Sequence, residues 1–133
     1  MSQNNVTKLV HAMTDAPDLA LRKSVLSVAY LNRGNAYLDL HLYDKAISDY
    51  SNVVSIDPQN HVAYANRGHA HHLNNQWQRG IADLTQSIQI SPRYWRAYAL
   101  RGLAYELRKD FERAIYDYGK VIEITPNKHA SLL

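Results

Sequence analysis

Cysteine is absent from this chain of 133 residues. Disulfides, thiol chemistry and cysteine-ligated zinc are therefore excluded. No run of about 18 apolar residues occurs, so no membrane span is predicted. The first residues carry neither the basic segment nor the apolar stretch of a secretory signal. From these absences we expect a single cytoplasmic domain.

A strong charge of one sign is also missing. The formal net charge is +3, and the basic residues are not gathered in one block, so we expect no nucleic-acid partner. The sequence contains no glycine-rich phosphate loop and no known nucleophile motif, and its carboxylates do not converge as an acid/base pair. We therefore predict that the chain is not an enzyme and needs no cofactor.

Three of the four prolines and three of the five glycines recur at a fixed interval. Pro58, Pro92 and Pro126 are each 34 residues apart. Five further sets share this interval: Gly34, Gly68 and Gly102; Tyr30, Tyr64 and Tyr98; Arg33, Arg67 and Arg101; Asp49, Asp83 and Asp117; Ile56, Ile90 and Ile124. Such self-similarity is typical of a repeat architecture.

Each repeat has the pattern of two helices joined by a short turn. In the first repeat, Tyr30, Gly34 and Tyr37 have the spacing that puts them on one helix face. Ala46, Tyr50 and Val53 follow with a helical spacing of their own. Proline ends the second helix, because the residue before a proline is disfavoured in a helix.

This pattern resembles the tetratricopeptide repeat (TPR) family. The resemblance in the first repeat is carried by Tyr30, Arg33, Gly34, Tyr37, Ala46, Tyr50 and Pro58. The third repeat matches through Tyr98, Arg101, Gly102, Tyr105, Ala114, Tyr118 and Pro126. The second repeat is looser, since His71, Gly80 and Leu84 replace a tyrosine, the alanine and the second aromatic residue. Arginine also stands where the family usually has leucine.

The resemblance implies an all-α fold, a right-handed superhelical solenoid of antiparallel helix pairs. We divide the chain into an N-terminal helical extension or cap (1–26), TPR 1 (27–60), TPR 2 (61–94), TPR 3 (95–128) and a short tail (129–133). Gly34, Gly68 and Gly102 are expected to face the small residues Ala46, Gly80 and Ala114 of the second helices. The arginine and aspartate sets predict repeated ion pairs within or between units, or else a row of arginines for an acidic ligand.

In TPR proteins the first helix of each unit lines a concave groove that holds a peptide or a partner helix. The resemblance therefore implies a protein–protein interaction module, an adapter or scaffold. Its expected peptide-binding residues are Leu31, Asn32, Asn35, Asn66, His69, His72, Arg96, Leu100 and Leu103.

One TPR subset binds the acidic tails of heat-shock chaperones through a carboxylate clamp. Asn35 and Asn66 match its two asparagines, and Arg96 occupies one of its basic positions. Leu31 and Leu100 stand where two further basic residues are expected. The resemblance therefore predicts a peptide ligand other than a chaperone tail.

Several side chains have a second interpretation. His69 and His72 share a helix face, but no carboxylate stands at ligand spacing, so we expect no metal site. Trp77 and Phe111 have the phase of Tyr43 and are predicted to pack between helices. Trp95 is expected to be exposed near the groove.

The two ends leave alternatives open. Val6, Leu9, Val10 and Met13 predict a short amphipathic helix, and a second helix from about Pro17 is expected to merge with the first repeat. The segment is either a cap or a dimerisation arm, and we expect an uncovered C-terminal flank to give a homo-oligomer. A small secretion-type or co-chaperone-like TPR chaperone, or a self-assembling structural protein, remains an alternative function.

Overall fold

The computed structural model describes residues 5–8 and 16–125. Within these residues the chain is helical, with no strand. Residues 5–8 are a helical segment, and six helices follow: α1 (Ala16–Asp39), α2 (Tyr43–Ile56), α3 (His61–Leu73), α4 (Trp77–Ile90), α5 (Trp95–Leu107) and α6 (Phe111–Ile124). The predicted all-α class is confirmed. Leu9 to Met13, Pro126 and the tail 129–133 lie outside the described residues.

The helix α1 is continuous from Ala16 to Asp39. The predicted merging of the extension with the first helix of the first repeat is therefore found. The helices then pair as expected, α1 with α2, α3 with α4 and α5 with α6, and consecutive pairs stack on one another. Stacking supplies the core, because a single helix pair cannot bury its apolar face alone.

The turn inside each pair has a left-handed residue at the same repeat position. His41, Asn75 and Lys109 have φ of 62°, 63° and 63°. The amide of the next residue then reaches back five residues, as in the 2.9 Å bond from Leu42 to the carbonyl of Tyr37. This is the Schellman arrangement, which satisfies carbonyls at a helix end. It allows the second helix to turn back at once.

Glycine permits the close approach of the paired helices. A Cβ at Gly68 would lie 2.8 Å from the carbonyl oxygen of Gly80, as the predicted pairing of these two residues requires. At Gly34 and Gly102 the nearest atoms belong instead to the rings of Tyr50 and Tyr118. The tyrosine one turn after Ala46 or Ala114 therefore supplies the nearest atoms at these two glycines, and the direct pairing of Gly34 with Ala46 and of Gly102 with Ala114 stays a prediction.

The arginine and aspartate sets form ion pairs inside each unit. Arg33, Arg67 and Arg101 each donate two hydrogen bonds, of 2.7–2.9 Å, to the aspartate 16 residues later. These aspartates are buried, and the bidentate pairing gives each of their two carboxylate oxygens a hydrogen-bond donor. The predicted ladder is confirmed in its within-unit form.

The prediction for Phe111 is wrong, whereas that for Trp77 holds. Arg108 from the following repeat covers the ring of Trp77, with its Cζ 4.2 Å from the ring centroid. Phe111 is exposed. Its position needs a cover from a further repeat, and no described residue supplies one. Trp95 is exposed as predicted.

The helix-pair contact predicts opposite effects for two Gly→Ala substitutions. Gly68→Ala forces backbone apart at the 2.8 Å contact and should lower the free energy of unfolding by about 1–3 kcal/mol. Gly119→Ala, where a Cβ meets nothing within 4 Å, should raise it by roughly 0.5–1 kcal/mol through helix propensity. Urea unfolding measures both, and equal effects would contradict the assigned contact.

Candidate functional site

Three of the nine predicted binding residues meet in one cavity. Asn35 from α1, Asn66 from α3 and Arg96 from α5 line an open hollow of about 390 Å³ on the wall formed by the first helices. Its other lining residues are Leu38, Asp39, Val62 and Tyr94. The repeat stacking places one polar residue from each first helix in a row.

A chain of hydrogen bonds connects the three residues. The Oδ1 of Asn35 accepts from the hydroxyl of Tyr50 at 2.6 Å and from the Nδ2 of Asn66 at 3.0 Å. The Oδ1 of Asn66 accepts in turn from the Nη1 of Arg96. Burial raises the pKa of Tyr50, so its hydroxyl keeps the proton that it donates to Asn35. The amide orientations are thus fixed by the network.

These bonds leave mainly N–H donors free in the cavity. Both amide oxygens already accept hydrogen bonds. The Nδ2 of Asn35 and the remaining N–H groups of the Arg96 guanidinium have no acceptor among the described residues. A group bound between them must therefore accept hydrogen bonds, as a carboxylate or a peptide carbonyl does. Asp39, which carries the opposite charge to Arg96, lines the same cavity.

The other predicted residues lie outside this cavity. Leu31 is half-buried and packs on a core cluster that contains Tyr50, and Leu100 packs on a cluster that contains Leu84. Asn32 and Leu103 are exposed. Leu31 and Leu100 stand at two positions where the carboxylate clamp has basic residues. Here both side chains pack on the core instead.

The predicted binding residues His69 and His72 of α3 are half-buried. The Cβ of His72 lies beside the backbone of Gly80, and its Nδ1 has no hydrogen-bond partner among the described residues. Burial, followed by the nearby Arg96 and His72, lowers the pKa of His69 to about 4. Burial and then Arg108 also lower the pKa of His72. Both rings are therefore neutral near pH 7.

Sequence reasoning missed three residues of the site. Asp39 is the last residue of α1, and Tyr94 directly precedes α5, so neither belongs to the helical rows that define the groove. The ring of Tyr94 is fixed edge-on against His61, with centroids 4.7 Å apart. Tyr50 belongs to the repeat pattern, which gives no indication that its hydroxyl reaches Asn35.

The described residues contain neither a cluster of metal-binding side chains nor a membrane-spanning helix. Among residues 5–8 and 16–125, no three histidine or acidic side chains come together in a group that could hold a metal ion. None of the helices in the same residues combines the length and the apolar character needed to cross a membrane.

Comparisons with known proteins identify repeats at both ends of the solenoid. Tetratricopeptide repeat models match residues 27–60 and 95–128. No curated protein sequence matches the chain significantly.

Many solved structures have the same architecture. The first TPR of Spaghetti (RPAP3), bound to the HSP90 peptide SRMEEVD, is 29% identical with a TM-score of 0.72, over 77% of this chain and 81% of that one. The Sgt2 TPR domain from Aspergillus fumigatus is 31% identical with a TM-score of 0.71, over 74% and 65%. The second TPR domain of human RPAP3, in complex with the HSP70 peptide SGPTIEEVD, is 25% identical with a TM-score of 0.73, over 80% and 88%.

The depressed pKa of His69 predicts acid-sensitive stability. The unfolded chain binds this proton near pH 6.5 and the folded chain only near pH 4, so stability is fully present above 6.5 and is lost as the pH falls towards 4. His69→Gln should flatten the decline of the urea midpoint between pH 7 and 5, although His72 keeps part of it. The two proteins' curves at pH 7.5, where both rings are neutral, provide the reference. Parallel curves down to pH 4 would contradict the assignment.

Proposed function

Because this chain belongs to the tetratricopeptide repeat family, we propose that it is a non-catalytic protein–protein interaction module that holds a short peptide of a partner on the wall formed by α1, α3 and α5. The observation that carries the proposal is the row of Asn35, Asn66 and Arg96, in which the Nδ2 of Asn35 and the remaining N–H groups of Arg96 are free to donate. A row of this kind suits an extended peptide, whose carbonyls and carboxylates are acceptors.

The anchoring group in this proposal is a single carboxylate. One guanidinium and two amides surround the hollow, and a charge-assisted bond to Arg96 is stronger than a neutral one. A second carboxylate nearby would meet Asp39 rather than a base. The ligand therefore carries one carboxylate at this point of the groove, not a dense acidic run.

Apolar side chains on either side of the hollow are the remaining contacts. Leu38 and Val62 line the cavity itself. On α5, the exposed Leu103 and Leu107 lie on the same helix face as Arg96, about two and three turns further along, and the exposed Trp95 directly precedes Arg96. These surfaces favour apolar ligand residues next to the carboxylate, because burying them removes apolar area from water.

The comparison structures provide the contrast. The RPAP3 domains are bound to peptides that end in Glu-Glu-Val-Asp. In this chain Leu31 and Leu100 occupy two positions where the chaperone-binding subset has basic residues, and both pack on the core. We therefore propose that this groove prefers an apolar peptide with one terminal carboxylate over a chaperone tail.

Binding of a labelled peptide tests the anchoring residues. The probe is SRMLLVD with an amidated C-terminus, so that its one carboxylate is the side chain of the terminal residue. Leucine replaces both glutamates of the HSP90 peptide, and wild-type protein should bind this probe more tightly than SRMEEVD. Arg96→Ala and Asn66→Ala should each weaken binding about 10- to 100-fold, the effect of losing a charge-assisted or buried hydrogen bond. Fluorescence anisotropy measures the affinity, and circular dichroism checks that each variant is folded.

Arg79→Ala is the matched control, since Arg79 is an exposed arginine on α4 and does not line the cavity. Its affinity should equal that of the wild type. Unchanged affinity in folded Arg96→Ala, or no binding of either peptide to the wild type, would refute the proposed site. Preference for SRMEEVD would refute only the proposed specificity.

Restoring the missing bases should reverse the preference. Leu31→Lys with Leu100→Arg adds two positive charges beside Asn35 and Arg96, and the aliphatic stems of both side chains can still cover the core. Affinity for SRMEEVD should rise by about tenfold or more, from one to two new charge-assisted bonds. Gln78→Lys with Gln89→Lys adds the same charge at exposed positions of α4 that do not line the cavity, and should give a smaller gain. Equal gains would indicate unspecific attraction.

A further inference from the structure

The two ends of the solenoid expose faces that are buried wherever repeats meet. On α6, Phe111, Ile115, Tyr118 and Ile122 share one helix face. The corresponding residues of α2 and α4, one or two repeats earlier, pack beneath the next repeat. The counterparts of Ile115 and Ile122 in α2 and α4 are half-buried, whereas these two isoleucines are 70% and 75% exposed.

The opposite end has the complementary face. Ala63 and Ala97, and likewise Ala70 and Ala104, are almost completely buried in the first helices of the second and third repeats. Their counterparts on α1, Ala29 and Ala36, are exposed. Ala29 and Ala36 lie on the same side of α1, two turns apart.

The contacts inside the chain show how such faces fit together. Tyr50 of α2 and Ala70 of α3 belong to one buried cluster, against which Ile47 packs. Leu84 of α4 and Ala97 of α5 belong to another, against which Ile88 packs. Shifted by the repeat interval, the same two contacts would bring Tyr118 and Ile115 onto Ala36, and Tyr118 and Ile122 onto Ala29, of another molecule.

We propose that α6 of one copy docks on α1 of a second copy, head to tail, as a continuation of the repeat stack. The contact joins two different surfaces, so it does not close on itself and extends into a linear array. It uses neither Asn35, Asn66 nor Arg96 and is independent of the proposed peptide site.

The junction between copies lacks one bond that the internal junctions have. Arg67 donates to the hydroxyl of Ser51 at 3.3 Å, and Arg101 to that of Thr85 at 3.1 Å. The third residue of this set is Gly119, which offers no hydroxyl to Arg33 of the next copy. The contact therefore rests on apolar packing, and its assembly depends on protein concentration.

Two charged variants, each blocking one face, test the proposal. Ile115→Glu disables the α6 face and Ala36→Glu disables the α1 face; both positions are exposed, so neither change disturbs the core. Ala82→Glu, at an exposed alanine of the central repeat, is the matched control. Sedimentation velocity is measured from low to high micromolar concentration, with one variant carrying a fluorescent label in mixtures.

Wild type and Ala82→Glu should form species that grow with concentration beyond twice the monomer mass. Each blocked variant alone should stay monomeric, because every copy lacks the same face. An equimolar mixture of the two should give a one-to-one complex and nothing larger, since one live face of each kind remains.

Three results would overturn the proposal: a monomeric wild type at all concentrations, continued assembly of either blocked variant alone, or a mixture that stays monomeric. Continued assembly of a blocked variant would move the contact elsewhere, for example to the exposed Leu21 and Val25 of α1. Binding of SRMLLVD by each variant provides a separate check of folding and of the groove.

Discussion

The close approach of the two helices within a repeat is the contact on which the rest of the structure depends. At Gly68 and Gly80 the backbones themselves are in contact range, and at Gly34 the ring of Tyr50 fills the space left by the missing side chain. Only at this separation can Arg33 reach Asp49 with both of its donors. The ion pair then holds a buried carboxylate that would otherwise be unpaired and strongly destabilising.

From the geometry of the pair follows the wall of first helices. Once every pair has the same shape, stacking sets α1, α3 and α5 side by side, and residues 30 or 31 apart become neighbours across the wall. Asn35, Asn66 and Arg96 meet in this way. Because each oxygen in the row accepts from the next residue, the row has a polarity, and the donors that remain determine what can bind.

The features that could be predicted from the sequence are those for which the same residue type recurs at the same position of each repeat. Glycine, arginine and aspartate recur unchanged, so the helix pairs and the ion pairs were predictable. The left-handed turn residues His41, Asn75 and Lys109 recur in space without sharing a chemistry, and their common role is invisible in the sequence. The groove phase brought three of nine predicted residues into the cavity. Phase alone could not show that Leu31 and Leu100 pack on the core, because a residue at the edge of a helix face can point either way.

A solenoid differs from a closed domain in that every contact is between neighbours. The face that α2 presents to α3 is built from the same kinds of apolar residues as the face that α6 exposes, and the proposed junction between copies would repeat this packing. The groove lies on the wall and the stacking faces lie at the ends, so occupation of one leaves the other accessible. Copies joined end to end would carry one groove each in a row. A partner with several copies of its peptide would then bind with an avidity far above that of a single groove, because the second and later contacts are intramolecular. Avidity raises the affinity most where a single groove binds weakly. A cavity in which Asp39 opposes the charge of Arg96 favours weak binding of a single peptide.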